Sequence, residues 1–262
     1  MTDENYYKMN NKGAIVLALV LLAAGIVNAQ EYKVAKNSGR LEINIGRVTV
    51  EGHNGNEIIF SSADQTREKD ERAEGLRPVN SLGLEDNTNL GINVTQEGDV
   101  VKVRQLKKTK STDIKILVPR NVIVSFSYES QYGGKAKFKN MPNEIEVDAQ
   151  YNSIELENVT GPLTVKTIYG HVDAKLDPAM KGPISIVSVY GYVDLAIPAA
   201  TKANLKMSTS YGEIFADPDF KIEIERQGEM VSYSNKVNGK LNGGGIAIDL
   251  SCNYGKVYLR KS

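Results

Sequence analysis

The sequence predicts an all-β protein whose C-terminal half is a parallel β-solenoid of about 20 residues per coil. Three observations predict it. A Tyr-Gly or Tyr-Asn pair recurs at Tyr132, Tyr151, Tyr169, Tyr190, Tyr211 and Tyr254; apolar residues alternate with polar ones on both sides of each pair; and proline falls in the links between. A β-sandwich is the alternative fold, but an antiparallel sandwich has no need of the same corner chemistry in every unit.

Taken in chain order, residues 1–29 read as a secretory signal peptide. Ala14 to Val27 is a run of fourteen residues, apolar apart from Gly25, preceded by Lys8 and Lys12 and followed by Asn28-Ala29-Gln30. A membrane span needs about twenty apolar residues, and Ala29 supplies the small residue required before the cut. Export to the periplasm or the cell surface of a bacterium follows, with no transmembrane segment in the mature chain. Residues 30–120 form an N-terminal β region. Leu41, Ile43, Ile45; Val48, Val50; Ile58, Phe60; Ile92, Val94; Val101, Val103; and Ile114, Ile116, Val118 keep the period of two that buries one face of a strand. Ser62-Ala63-Asp64-Gln65 fits a capping box and predicts one short helix near 63–75, closed by Gly75.

Residues 121–262 form the Tyr-Gly repeat region, read as one domain with the preceding strands. Six residues before each Tyr stand Phe126, Ile145, Leu163, Ile184, Leu205 and Ile248; four before, Tyr128, Val147, Val165, Ile186, Met207 and Leu250; two before, the small residues Ser130, Ala149, Thr167, Ser188, Thr209 and Cys252. The residue after each Tyr is Gly133, Asn152, Gly170, Gly191, Gly212 or Gly255, which predicts a corner in left-handed backbone conformation. A second strand starts three residues after the Tyr, at Ile154, Val172, Val193, Ile214 and Val257, and at Ala136 in the first unit. The long step from Tyr211 to Tyr254 predicts a degenerate unit around Asn238-Gly239-Lys240-Leu241.

The signal peptide, the Ile114-Lys115-Ile116-Leu117-Val118-Pro119 strand and the Tyr-Gly-x-Val/Ile units at Tyr169, Tyr190, Tyr211 and Tyr254 resemble a bacterial adhesin family. Its members are exported β-strand-repeat domains of unknown function, related to autotransporter-adhesin head domains. The resemblance implies a β-repeat fold and an envelope setting; it carries no catalytic residues, and the adhesin role is itself an expectation.

Composition excludes several classes. The chain has 262 residues, with 32 Lys or Arg against 32 Asp or Glu, so nucleic acid is not the predicted partner. One Cys and two His cannot build a disulfide framework or a thiolate or His-rich metal site. No spacing of a known catalytic motif occurs, and no cofactor or metal is predicted. The basic residues Lys102, Arg104, Lys107, Lys108, Lys110 and Lys115 read as the wet face of strands.

Two features remain. Four residues after the Tyr, Glu155, Asp173 and Asp194 occur in consecutive units, with His171 and Tyr192 two residues earlier on the same face. Stacked rungs about 4.8 Å apart would align these acids as a ligand face, for Ca²⁺ or for a polysaccharide-active enzyme; salt-relieved surface charge is the plainer reading. The Tyr column faces inward if it continues the apolar parity of its strand, or outward as an aromatic strip. Parity predicts inward. The function read from the whole is an exported, non-enzymatic β-repeat protein of adhesin or envelope surface-interaction type, with an envelope glycan or protein as partner.

Overall fold

The computed structural model describes residues 30–62, 71–76, 80–107, 113–225 and 235–262. The signal-peptide segment lies outside the described residues, as does most of the predicted helix, of which a single 3-10 turn at Glu71–Ala73 is described. No helix among the described residues is long and apolar enough to cross a membrane.

Two large sheets face each other across one core. Sheet one runs, in spatial order, β1 (Glu31–Val34), β4 (Ile58–Ser62), β7 (Ile114–Pro119), β3 (Val48–His53), β9 (Lys135–Met141), β11 (Ser153–Val159), β13 (Val172–Leu176), β15 (Val193–Ile197), β21 (Val257–Lys261) and β17 (Ile214–Ala216). Sheet two runs β18 (Ile222–Ile224), β19 (Lys236–Leu241), β16 (Ala203–Thr209), β20 (Ile246–Cys252), β14 (Ile184–Ser188), β12 (Leu163–Thr167), β10 (Ile145–Ala149), β8 (Asn121–Tyr128), β2 (Ser38–Asn44), β6 (Val100–Gln105) and β5 (Ile92–Glu97). Each repeat unit contributes one strand to sheet two, turns at its Tyr corner, and contributes the next strand to sheet one. Stacked units run parallel and in register, Val147 beside Val165, Val165 beside Ile186 and Ile186 beside Leu250. The fold is therefore the β-solenoid that the repeat predicts. Its alternating residues bury Ile145, Val147, Leu163, Val165, Ile154 and Val172 between the sheets, and Phe126 meets Phe138 edge-on across the core at 6.1 Å.

The units do not stack in chain order. β20 and β21 lie between the β14/β15 and β16/β17 coils, and β2 and β3 lie between β6/β7 and β8/β9. The Asn238–Leu241 segment is no degenerate coil: it belongs to β19, which pairs antiparallel with β16 and with β18. Leu259 accordingly lies inside the stack, with β21 paired to β15 and to β17. In the first unit Phe126 pairs with Val147 and Tyr128 with Ala149, two residues out of step with the Tyr-anchored columns. The reason is a longer corner, since residues 129–134 intervene between β8 and β9.

Candidate functional site

The corners are built by crowding rather than by left-handed backbone. None of Gly133, Asn152, Gly170, Gly191, Gly212 and Gly255 has a positive φ; such values occur instead at Asn140 (53°), Asn158 (56°), Gly161 (82°), Gly182 (62°) and Gly243 (81°), away from the Tyr corners. Glycine is required because successive corners nearly touch. A Cβ on Gly191 would sit 2.1 Å from the Gly170 carbonyl oxygen, and one on Gly255 would sit 1.8 Å from that of Gly191. The small-residue column stitches the same carbonyls: Thr167 Oγ1 donates to Asn152 O at 3.0 Å, Ser188 Oγ to Gly170 O at 2.9 Å, and Thr209 Oγ1 to Gly255 O at 3.1 Å. Cys252 occupies this column too, fully buried, with Sγ 3.3 Å from Gly191 O. Burial pushes its thiol pKa up. Cys252→Ser is expected to alter stability by no more than about 1 kcal/mol, because a hydroxyl keeps the corner bond while a weakly apolar sulfur is lost. A thiol reagent at neutral pH should leave the native protein unlabelled and label the unfolded chain.

The tyrosines that precede these corner residues face outward. Tyr151, Tyr169, Tyr190, Tyr254 and Tyr211 stack in that spatial order, with ring centroids 4.9, 5.2, 4.8 and 5.1 Å apart and planes within 18° of parallel. Exposures run from 40% at Tyr151 to 75% at Tyr211. The inward orientation expected from parity is thus corrected: the strand ends at Ala149 or its equivalent, and alternation does not carry through a corner. Tyr132, on the longer first corner, is exposed but has no ring stack among the described residues. Stacked rings spend their faces on each other, so the ridge offers solvent their edges and phenol groups. The residues immediately before the five rings, Gln150, Ile168, Val189, Asn253 and Ser210, carry no charge, in a chain that is 24% charged.

The acidic row lies on the outer face of sheet one. Glu155 pairs with Asp173 and Asp173 with Asp194 in the parallel ladder, while His171 stacks on Tyr192 at 4.7 Å. Every acid has a partner. Lys135 lies 2.9 Å and Lys137 3.5 Å from Glu155. Arg260 Nε lies 2.7 Å from Asp194, the Tyr192 hydroxyl donates to Asp173 at 3.3 Å, and His171 Nε2 is 3.6 Å from Asp173. Ser153 Oγ lies 3.1 Å from His171 Nδ1, so Ser153, His171 and Asp173 form a chain. Its order inverts the imidazole of a hydrolytic triad, in which the serine meets Nε2. The lysine hydrogen bond holds the Glu155 carboxyl below its ordinary range, opposite to what a general acid needs. Desolvation, then the Asp173 charge, raises Tyr192. No cluster of three or more His, Cys, Asp or Glu fit to hold a metal occurs among the described residues. Beyond Asp194 the same row continues as Tyr258 and Phe215, stacked at 5.4 Å. These aromatics extend the face and were legible in the sequence, each standing four residues after a Tyr.

Glu51 and Glu146 are likewise held below the ordinary carboxylate range, by hydrogen bonds from Lys115 and Arg40 respectively. A depressed pKa contributes stability above the unfolded value, about 4.3, and that contribution fades as pH falls through the folded value. Because these side chains are partly exposed, each pair is worth on the order of 0.5 kcal/mol. Thermal melts should therefore decline as pH falls below about 4.3, and a Glu51→Gln, Glu146→Gln, Glu155→Gln variant should show a flatter decline.

Stacked parallel coils with a tyrosine corner place the molecule among the two-sheet β-solenoids. More particularly, residues 136–242 match the Toastrack DUF4097 family model, in keeping with the resemblance read from the Tyr-Gly units. Two solved structures are similar. One, a putative cell adhesion protein from Clostridium sporogenes ATCC 15579, shares 12% identity at a TM-score of 0.45 over 90% of this chain and 100% of that one. The other, a putative adhesin from Bacteroides fragilis NCTC 9343, shares 10% at a TM-score of 0.41 over 89% and 97%. No curated protein matches.

Proposed function

We propose that this is an exported, non-enzymatic surface-interaction protein of adhesin type, and that the tyrosine ridge is its contact strip. The observation that supports the reading is the ridge itself: five aromatic rings in one exposed file, where the corner requires only the small residues on either side. Contiguous exposed aromatic surface is characteristic of binding sites. The ridge carries phenol groups at rung spacing, and the residues immediately before and after each ring are uncharged, which suits a neutral, hydroxyl-rich polymer such as an envelope polysaccharide. The apolar run at Ala14–Val27 supports export.

Co-sedimentation with insoluble neutral polysaccharides tests this. Tyr169→Ala, Tyr190→Ala, Tyr254→Ala in one chain should weaken binding by about 30-fold, roughly 2 kcal/mol. The corresponding triple phenylalanine variant keeps the stack and should lose about 10-fold with the hydroxyls. Undiminished binding by the alanine variant would remove the ridge from consideration. If wild type binds none of the polymers, the glycan class is wrong. Turnover of a polysaccharide that disappears in an Asp173→Asn, Asp194→Asn variant would replace this reading with an enzymatic one.

A further inference from the structure

We propose that the free edge of β17 takes up an extended, basic segment of a partner protein as an added strand. This rests on the sheet edge and is independent of what the tyrosine ridge binds. Among the described residues the two sheets have four edge strands, β1, β5, β18 and β17. The first three are antiparallel caps with exposed charged side chains such as Glu31 and Lys33, Glu97, and Glu223, the usual means of blunting an edge. β17 differs from them. It is a rung of the parallel stack, among the described residues it pairs only with β21, and its outward side chain is Phe215, 43% exposed.

The backbone of β17 is poised for addition. Glu213 O accepts from Val257 N at 3.0 Å, and Asp217 N donates to Leu259 O at 2.9 Å. The alternation of a parallel ladder then points the N–H and C=O of Ile214 and of Ala216 away from β21. Both aromatic columns also end on this coil, at Tyr211 and Phe215.

Charge selects the occupant. Residues 213–225 contain the acids Glu213, Asp217, Asp219, Glu223 and Glu225 against a single base, Lys221; Lys256 pairs with Glu213 at 3.1 Å and Lys261 with Asp219 at 2.6 Å, and Asp217, Glu223 and Glu225 keep the coil acidic. Pairing β17 with the β17 of a second copy would oppose two such acidic coils, whereas a basic strand complements one. An added strand in register sets its outward residues beside Glu213, Phe215 and Asp217 and its inward residues beside Ile214 and Ala216. The pattern that fits is basic, aliphatic, aromatic, aliphatic, basic.

The probe is the peptide Lys-Val-Lys-Val-Tyr-Val-Lys-Val-Lys, compared with its counterpart bearing Glu at every Lys position, each titrated into the full chain. The lysine peptide should bind at least about 10-fold more tightly than the glutamate peptide. Ala216→Pro removes an outward N–H that β21 does not use and should weaken lysine-peptide binding by a similar factor. In wild type, hydrogen exchange at Ile214 and Ala216 should slow on peptide addition, a readout that does not depend on how the variant folds. Equal affinity for the two peptides, no binding of the lysine peptide, or unchanged exchange at both amides would overturn the proposal. So would a dimer of the free chain that Ala216→Pro abolishes, since the occupant would then be a second copy.

Discussion

Gly191→Ala is expected to cost the solenoid about 3 kcal/mol, the upper part of the range for overpacking a site that cannot relax. The added methyl would lie 2.1 Å from Gly170 O and 2.7 Å from its carbonyl carbon, and both are backbone atoms of the neighbouring coil. That carbonyl is also held by Ser188 Oγ, while the Gly191 carbonyl receives Cys252 Sγ from the coil on the other side. Relief therefore requires the coils to separate by more than an ångström. That would break the 5.2 Å Tyr169–Tyr190 stack and the flanking ladder bonds together. Gly98→Ala is the control. It has a positive φ of 57° and nothing within 4 Å of a new Cβ, so it should cost only the roughly 1–2 kcal/mol of a left-handed backbone, without any separation of coils. Thermal melts separate the cases, at about 2–4 °C per kcal/mol for a chain of this size. A Gly191→Ala melt within 2–3 °C of wild type would show that corner contact does not limit stacking.

Residue type was legible in these columns before its cause was. Gly170, Gly191, Gly212 and Gly255 share a column because each corner lies against the next; left-handed backbone, the other reason for choosing glycine, occurs at Asn140 and Asn158 at the exit from sheet one. Asn152 is tolerated in the column because the corner beneath it is the long one at 129–134, and its amide reaches across to Gly46 O at 2.8 Å. Parallel rungs were legible because every core position meets its own equivalent above and below, as Leu163 meets Ile145 and Ile184. The same equivalence conceals order. A coil with matching columns fits anywhere in the stack, so nothing local in Tyr254 says that it lies between Tyr190 and Tyr211.

The face holding Glu155, Asp173, Asp194, His171 and Tyr192 followed from the same register. Its neutralising cations did not, because Lys135 and Arg260 come from strands one rung away on either side. After Asp194 the column continues with Tyr258 and Phe215, which turns a row of acids into a row that ends in aromatic rings.

Asn143→Leu is expected to be about as damaging as the corner substitution, for a different reason. Asn143 is 2% exposed, and its Nδ2 donates to Pro119 O at 2.8 Å and to Val122 O at 2.7 Å. Those carbonyls flank the turn from β7 to β8, and Asn143 lies in the link between β9 and β10, so one amide fastens two successive turns of the chain. Leucine is nearly the same size but leaves both acceptors buried without a donor, at about 1–3 kcal/mol each. A total loss of about 3 kcal/mol follows if the turn relaxes to hydrate one of them. Asn143→Asp should be worse at neutral pH, because an ionised carboxylate would face two carbonyl oxygens with no donor between them. Its folded-state pKa would be raised above the unfolded value, so the defect should ease as pH falls and the protonated acid donates to one carbonyl. Melts of the aspartate variant across pH 7 to 4 should therefore rise relative to wild type, while the leucine variant keeps a constant deficit. A leucine variant within about 1 kcal/mol of wild type, or an aspartate variant whose deficit is flat with pH, would show that the link is held by something other than this amide.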